Sequence, residues 1–378
     1  MQNDSQGMCQ ECWREAGRGW QADSGRREEK VKSSLVSNPR IIAIGTANPP
    51  LRMTQEQSFH AAGYRTERIR KLFLNSDIDF RHFCLEGDFS RGESSDQLNQ
   101  RYLRGAMKTG CRAITNCLES SGLTVQDVDF LVVCTCTGYV CPDLGSRFIA
   151  HMGFRDNVQR GAMLGLGCAG ALPALQRATD FVRANPARVA LMVAVEICSG
   201  YCVDNTLETA VGNAICADGA AAFLLARDSS TDRRHPETVD FETFLDPGQI
   251  EEVGLRHQDG KLRIILGASI HKIAGPLIEK ALERLQHRHG LSRSDIRFWV
   301  LHPGGRKVID DLQRYLDLTE AQMRFSRHVL RNYGNMSSPT VMFVLDEVVR
   351  KGDPQPGDMG IMVGLGPGMA AELALLRW

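Results

Sequence analysis

The chain has 378 residues, enough for two ordinary domains or one large duplicated one. An apolar fraction of 43%, a charged fraction of 24% and a formal net charge of zero fit a globular protein, and they give no electrostatic reason to expect nucleic acid or a strongly charged partner. No apolar run reaches transmembrane length and the polar start lacks the apolar segment of a signal peptide, so the expectation is a cytoplasmic protein without a membrane span. The twelve cysteines then read as free thiols rather than as a disulfide framework.

In chain order, residues 1–38 are charged and glycine-dotted and predict a flexible extension. Its Cys9 and Cys12 form a C-x-x-C without two further ligands at regular spacing, so no metal site is expected. The run from Pro39 to Pro49 predicts the first strand. "YRTERIRKLF" places Arg68 and Lys71 on one side of a helix, either a solvated face or a phosphate contact. "SGLTVQDVDFLVVCTCTG" leads into a strand bearing Cys134 and Cys136, and "RVALMVAVEIC" reads as a buried strand. Arg233 to Gly260 is more polar and predicts a join with a few irregular strands. "HGLSRSDIRFWVLHPGG" then repeats the Gly-Leu, polar helix start, Asp, Phe and apolar-strand order of Ser121 to Gly138. "CADGAAAFLLAR" and "LGPGMAAELALLRW" form a second similar pair. Two pairs in the same order predict an internal duplication. Alternating strand and helix signals predict α/β layers, with an N-terminal half over 39–232 and a C-terminal half over 233–378.

Three residues stand out chemically. Cys168 sits in "MLGLGCAGALPAL", on a glycine-lined bend at the start of a helix whose Pro173 falls in the first turn. A helix N-terminus favours a thiolate, so a lowered pKa is expected there, against the plainer reading of a small buried thiol. His302 ends an apolar strand before a glycine turn, where α/β folds present side chains to ligands; alternatively it is a turn histidine. Asn335 follows Gly334 and precedes a helix, as a cap or as a donor. Together they offer a nucleophile, a base and two donors for a developing oxyanion.

With "FLNSDID", "GLGCAGAL", "VGNAICADGAA", "LHPGG", "YGNMSSP" and "GLGPGMAAELALL" in this order, the chain resembles the type III polyketide synthases, the chalcone-synthase-like enzymes of the thiolase superfamily, from about residue 39 to the end. The resemblance implies a thiolase fold with a duplicated five-layer αβαβα architecture, a homodimer, acyl-CoA and malonyl-CoA as substrates, and no cofactor beyond these CoA thioesters. It implies that Cys168 pairs with His302 and carries the growing acyl chain, and that His302 and Asn335 stabilise the enolate formed when malonyl-CoA is decarboxylated. It places Arg68, Lys71, Gly305 and Lys307 at the CoA phosphates, although a third basic family position reads Asn75.

The same resemblance places Thr137, Cys141, Cys198, Tyr201, Cys216, Gly267, Ser337, Gly366 and Pro367 around the substrate pocket, with Cys141–Pro142 where a loop crosses to a partner subunit. Plant members carry phenylalanine at the positions that read Cys216 and Gly267, and threonine where this chain has Tyr201. The lost phenylalanines point toward a medium- or long-chain fatty acyl starter and an alkylresorcinol or alkylpyrone product. The alternatives are a dihydroxyphenylacetyl-CoA-type synthase primed by malonyl-CoA, a ketoacyl-ACP synthase III-like priming enzyme, and a non-catalytic thiolase-fold partner. The absence of any cysteine after Cys216 argues against a thiolase, which needs a late second one.

Overall fold

The structure is a computed structural model and describes residues 38–85, 92–200, 207–227, 234–258, 260–267 and 269–378. Its strands are β1 (Arg40–Ala47), β2 (Leu51–Thr54), β3 (Phe80–Phe83), β4 (Phe130–Thr135), β5 (Gln159–Leu164), β6 (Ala190–Ile197), β7 (Asp218–Ala226), β8 (Glu237–Leu245), β9 (Val253–Gln258), β10 (Lys261–Leu266), β11 (Ile296–Leu301), β12 (Met359–Gly366) and β13 (Ala370–Arg377). The helices are α1 (Gln55–Ala61), α2 (Glu67–Leu74), α3 (Ser95–Ser121), α4 (Leu144–Met152), α5 (Ala171–Ala184), α6 (Leu207–Ile215), α7 (Ile270–His289), α8 (Arg306–Tyr315), α9 (Glu320–Tyr333) and α10 (Ser338–Lys351).

Among the described residues the main sheet has nine strands in the order β5-β4-β6-β7-β1-β8-β13-β12-β11. It consists of two half-sheets that meet at one rung, Arg40 opposite Glu237. In each half, parallel strands lead to an antiparallel pair: β4 beside β6 and β6 against β7, then β11 beside β12 and β12 against β13. Strand side chains alternate between faces with period two, and the apolar residues sort accordingly. Leu131, Val133, Leu191 and Val193 face one way, onto α3 and α4. Val132, Met192, Phe223 and Leu225 face the other way, into a central layer filled by α5 and α10. From the second half-sheet Met362, Ala374 and Leu376 enter that same layer, while Ile361, Leu373 and Leu375 face outward onto α7 and α8. The result is helix, sheet, helix, sheet, helix, the five-layer thiolase architecture.

The sequence repeat has a local cause. α3 and α7 both end on a glycine in the left-handed region, Gly122 at φ 72° and Gly290 at φ 62°. Each is followed by a short 3₁₀ turn closed by a reciprocal cap, Thr124 with Asp127 and Ser292 with Asp295, before β4 or β11 begins. Between Arg233 and Gly260, β8 runs for nine residues and pairs with β13 from Glu237 to Leu245, with a register shift that leaves Val239 unpaired in that ladder. Its polar residues Asp240 and Glu242 are half-buried and Thr243 is exposed.

Candidate active site

β5 delivers the chain to the bend predicted around Cys168. Gly165 and Gly167 have φ of 75° and 53°, values that L side chains resist, and Gly167–Ala169 forms a 3₁₀ turn before α5. A Cβ on Gly167 would stand 2.4 Å from Pro367 Cδ, and one on Gly366 would stand 2.6 Å from the Leu166 carbonyl oxygen. The β12–β13 loop is therefore clasped against the Cys168 turn. This accounts for the small residues on both sides of the contact.

His302 leaves the end of β11 with its backbone N–H donating to the Val363 carbonyl at 2.9 Å. The imidazole is buried, and among the described residues neither ring nitrogen has a hydrogen-bond partner. Asn335 lies between α9 and α10. Its Nδ2 donates to the Gly304 carbonyl at 3.2 Å, its Oδ1 accepts from the Ser337 backbone N–H at 2.8 Å, and Cys168 Sγ stands 4.0 Å from that same oxygen. One carboxamide thus connects the Cys168 turn with the turn that follows His302. Ser337, which donates that N–H, itself takes φ 57°, a conformation that L residues rarely adopt.

The electrostatics correct one expectation. Burial pushes the Cys168 thiol up to about 12, with the Cys216 and Glu196 charges adding to the rise and hydrogen bonding with Ser337 and Asn335 opposing it. The residue is half-buried on a 3₁₀ turn ahead of α5, and desolvation is the leading cause of the rise. Burial also pushes His302 down to about 4. At neutral pH each group taken singly is uncharged, so a thiolate arises only as a neighbouring base takes the proton.

The remaining predicted residues are distributed as follows. Cys198 and Cys216 are both buried and share a small apolar cluster with Leu255, Leu262 and Ile264 of the β9–β10 hairpin. Thr137 is buried, and its hydroxyl donates to Glu196 Oε2 at 2.8 Å. Cys141 is exposed. Gly267 follows β10 and receives no room for a side chain, since a Cβ there would stand 2.0 Å from Glu252 Oε2. Arg68 and Lys71 are exposed on α2; Gly305 caps α8, and Lys307 is exposed in its first turn. Tyr201 lies outside the described residues, as do Cys9 and Cys12. Every described cysteine is a free thiol. No described cluster of His, Cys, Asp or Glu could hold a metal ion, and no described helix is long and apolar enough to cross a membrane.

A cavity of about 760 Å³ opens beside this group. Gly167, Cys136 and Pro367 line its inner side, and Leu255, Leu262 and Ile265 of the hairpin line its outer side. Cys136 Sγ lies 3.4 Å from Ser337 Oγ, which joins the cavity wall to the Asn335 turn. Sequence reasoning missed the hairpin wall, because β9 and β10 carry no motif. It also missed Glu196, a fully buried carboxylate that accepts from the Cys136 and Thr137 backbone N–H groups and from Ser338 Oγ. A signal was available: Glu196 is the one charged residue inside the apolar run "ALMVAVEIC".

Comparison with known proteins supplies the wider setting. Residues 240–378 match the family profile described as chalcone and stilbene synthases, C-terminal domain, and residues 89–240 match that of FAE1/type III polyketide synthase-like protein. A 3,5-dihydroxyphenylacetyl-CoA synthase of Amycolatopsis balhimycina is 32% identical over 358 residues, spanning 92% of this chain and 95% of that one. The crystal structure of PKS-I from the brown alga Ectocarpus siliculosus superposes with a TM-score of 0.85 at 30% identity, over 92% of this chain and 100% of that one. The 1,3,6,8-tetrahydroxynaphthalene synthase of Streptomyces coelicolor A3(2), a bacterial type III polyketide synthase, superposes with a TM-score of 0.83 at 27% identity, over 90% and 99%.

Proposed function

Because this chain belongs to the type III polyketide synthase family of chalcone- and stilbene-synthase-like enzymes, we propose that it extends an acyl-CoA starter by repeated decarboxylative condensation with malonyl-CoA, using Cys168, His302 and Asn335. The observation that carries these roles is the Asn335 carboxamide, in contact at once with the Cys168 turn and with Gly304 beyond His302. Cys168 Sγ attacks the starter thioester carbonyl while His302 takes the thiol proton. The tetrahedral adduct collapses, and the departing CoA thiolate recovers that proton. Malonyl-CoA then loses its carboxylate as CO₂. The electron pair left behind forms an enolate, whose oxygen is met by His302 and by the free N–H of Asn335 Nδ2. The enolate carbon attacks the acyl-Cys168 carbonyl, the C–S bond breaks, and the thiolate is released for the next cycle. The two unpartnered imidazole nitrogens in a buried site fit groups kept for substrate oxygens.

The starter we propose is a medium- or long-chain fatty acyl-CoA, with cyclisation to an alkylresorcinol or alkylpyrone. Small thiols at Cys198 and Cys216, the apolar hairpin wall and a volume of about 760 Å³ support it. The name of the Amycolatopsis relative favours a second reading, in which malonyl-CoA primes the chain and dihydroxyphenylacetyl-CoA is the product. Arg68, Lys71, Gly305 and Lys307 are assigned to the CoA phosphates in either case; the exposed ammonium of Lys307 near an α8 N-terminus suits an anion. The enzyme is proposed as a homodimer, supported by the edge strand β5, largely exposed, and by Tyr139, 71% exposed beside it. Mass spectrometry of products from malonyl-CoA alone and with acyl-CoA starters of increasing length separates the readings. Products whose mass tracks the starter support the first, and one product made from malonyl-CoA alone, unchanged by added starters, supports the second. Continued turnover by Cys168→Ala would remove the assigned nucleophile.

A further inference from the structure

The C-terminal end of α6 leaves carbonyl groups that no helical N–H can reach. Four successive ones are taken by groups remote in sequence. Arg81 Nη1 donates to the Asn213 carbonyl at 2.6 Å and to the Cys216 carbonyl at 2.7 Å. Gln55 Nε2 donates to the Ala214 carbonyl at 2.7 Å, and the Asn335 backbone N–H donates to the Ile215 carbonyl at 2.8 Å. Gln55 Oε1 in turn accepts from Arg81 Nε at 2.8 Å. The Ala217 N–H closes the arrangement by donating to the Asn335 carbonyl at 2.9 Å. Asn335 is therefore one member of a helix cap whose other members are Arg81 and Gln55.

Arg81 is a costly choice for such a cap. It is 1% exposed, and among the described residues it has no carboxylate in ion-pair contact. Its guanidinium lies over the faces of Phe73 and Phe83, at 5.4 and 5.0 Å from the ring centroids. Its stem fills the space beside Gly334, where a Cβ would stand 2.8 Å from Arg81 Cγ and 2.9 Å from the Ile215 carbonyl oxygen. Gly334 immediately precedes Asn335, so Arg81 fixes the strap that bears the carboxamide both through the helix end and by direct packing.

We propose that Arg81 is a positioning residue for Asn335, holding the carboxamide where the enolate forms. The proposal rests on the role given to Asn335 above. A guanidinium spans two carbonyls from one nitrogen plane and a glutamine from its Nε, whereas an ammonium offers a single point of donors. A lysine there would hold the turn more loosely. A shift of about 1 Å in a group that meets a transition state can cost about a hundredfold in rate.

Arg81→Met and Arg81→Lys, each with and without Asn335→Ala, test it through two half-reactions: steady-state decarboxylation of malonyl-CoA, and single-turnover acylation of Cys168 followed by CoA release. Arg81→Met should lower kcat for decarboxylation about tenfold or more, with KM and Cys168 acylation changed by no more than about threefold. Arg81→Lys should fall between it and the wild type. In the Asn335→Ala background, Arg81→Met should change the residual decarboxylation by less than about twofold, since the group it positions is gone. Losses that multiply in that background, or equal loss of both half-reactions, would overturn the proposal. If Arg81→Met does not fold, the same comparison is made with Arg81→Lys, and wild-type decarboxylation by that variant would overturn it. Unchanged decarboxylation by Asn335→Ala itself would instead remove the role of Asn335; a large loss there with wild-type behaviour of both Arg81 variants would remove only the role of Arg81.

Discussion

Desolvation acts on the half-buried Cys168 and on the buried His302, pushing one up to about 12 and the other down to about 4. In the proposed mechanism the thiol would gain its reactivity from the imidazole, not from its own acidity. Alkylation of Cys168 by iodoacetamide, followed by peptide mass spectrometry, should keep accelerating as pH rises past the ordinary thiol value of 9.0. A plateau reached below neutrality would show that pairing with His302 outweighs desolvation. His302 also makes a pH-dependent contribution to stability. As pH falls below 6.5 the unfolded chain takes up a proton at this position, whereas the folded protein does so only near 4. The stabilisation is complete above 6.5 and is lost as pH falls toward 4, by about 2 kcal/mol at pH 5. Urea unfolding of His302→Gln should lack that part of the acid sensitivity. Asp218 and Asp346, both raised to about 6 by burial, act in the opposite sense and are common to both proteins, so the comparison isolates the histidine. Equal acid sensitivity in the two proteins would contradict the assignment.

At the scale of elements, the turn before α5 depends on contact with the β12–β13 loop. Gly167→Ala places a methyl group 2.4 Å from Pro367 Cδ and a side chain at φ 53°. It should destabilise the protein by about 1–3 kcal/mol and displace Cys168, lowering single-turnover acylation more than the melting temperature alone would explain. Normal acylation by that variant would show the clasp to be dispensable. The glycines of this turn were legible in the sequence because a bend is set by residues a few positions apart; Gly122 and Gly290 were legible as a repeat, while their role as helix ends came from the structure. The helix N-terminus at Cys168 was legible too, yet it suggested the wrong direction for the thiol, since burial comes from distant segments that pack over it. The meeting of Cys168 with Asn335 could be named only through family resemblance. Arg81, Gln55 and Glu196 act through contacts between elements far apart in the chain, and nothing in their local spacing announces them.

Across the whole molecule, the two half-sheets join at a single rung reinforced by charge. Glu237 receives Arg40 at 2.8 Å and Arg377 at 2.7 Å, and the Arg40 side chain is almost fully enclosed. Glu237→Ala leaves that guanidinium uncompensated and should lower the unfolding free energy by about 3 kcal/mol, read from the urea midpoint. A loss below about 0.5 kcal/mol would mean that the shared central layer alone holds the halves together.

The clasp of Pro367 on Gly167 also bears on synthesis. A ribosome makes the Cys168 turn well before it makes the loop that seats it. Over that interval the nascent chain carries its cysteine without the buttress that shapes it. The thioester chemistry proposed for Cys168 would therefore await emergence of the β12–β13 loop, sparing shorter chains from being acylated on a half-built site.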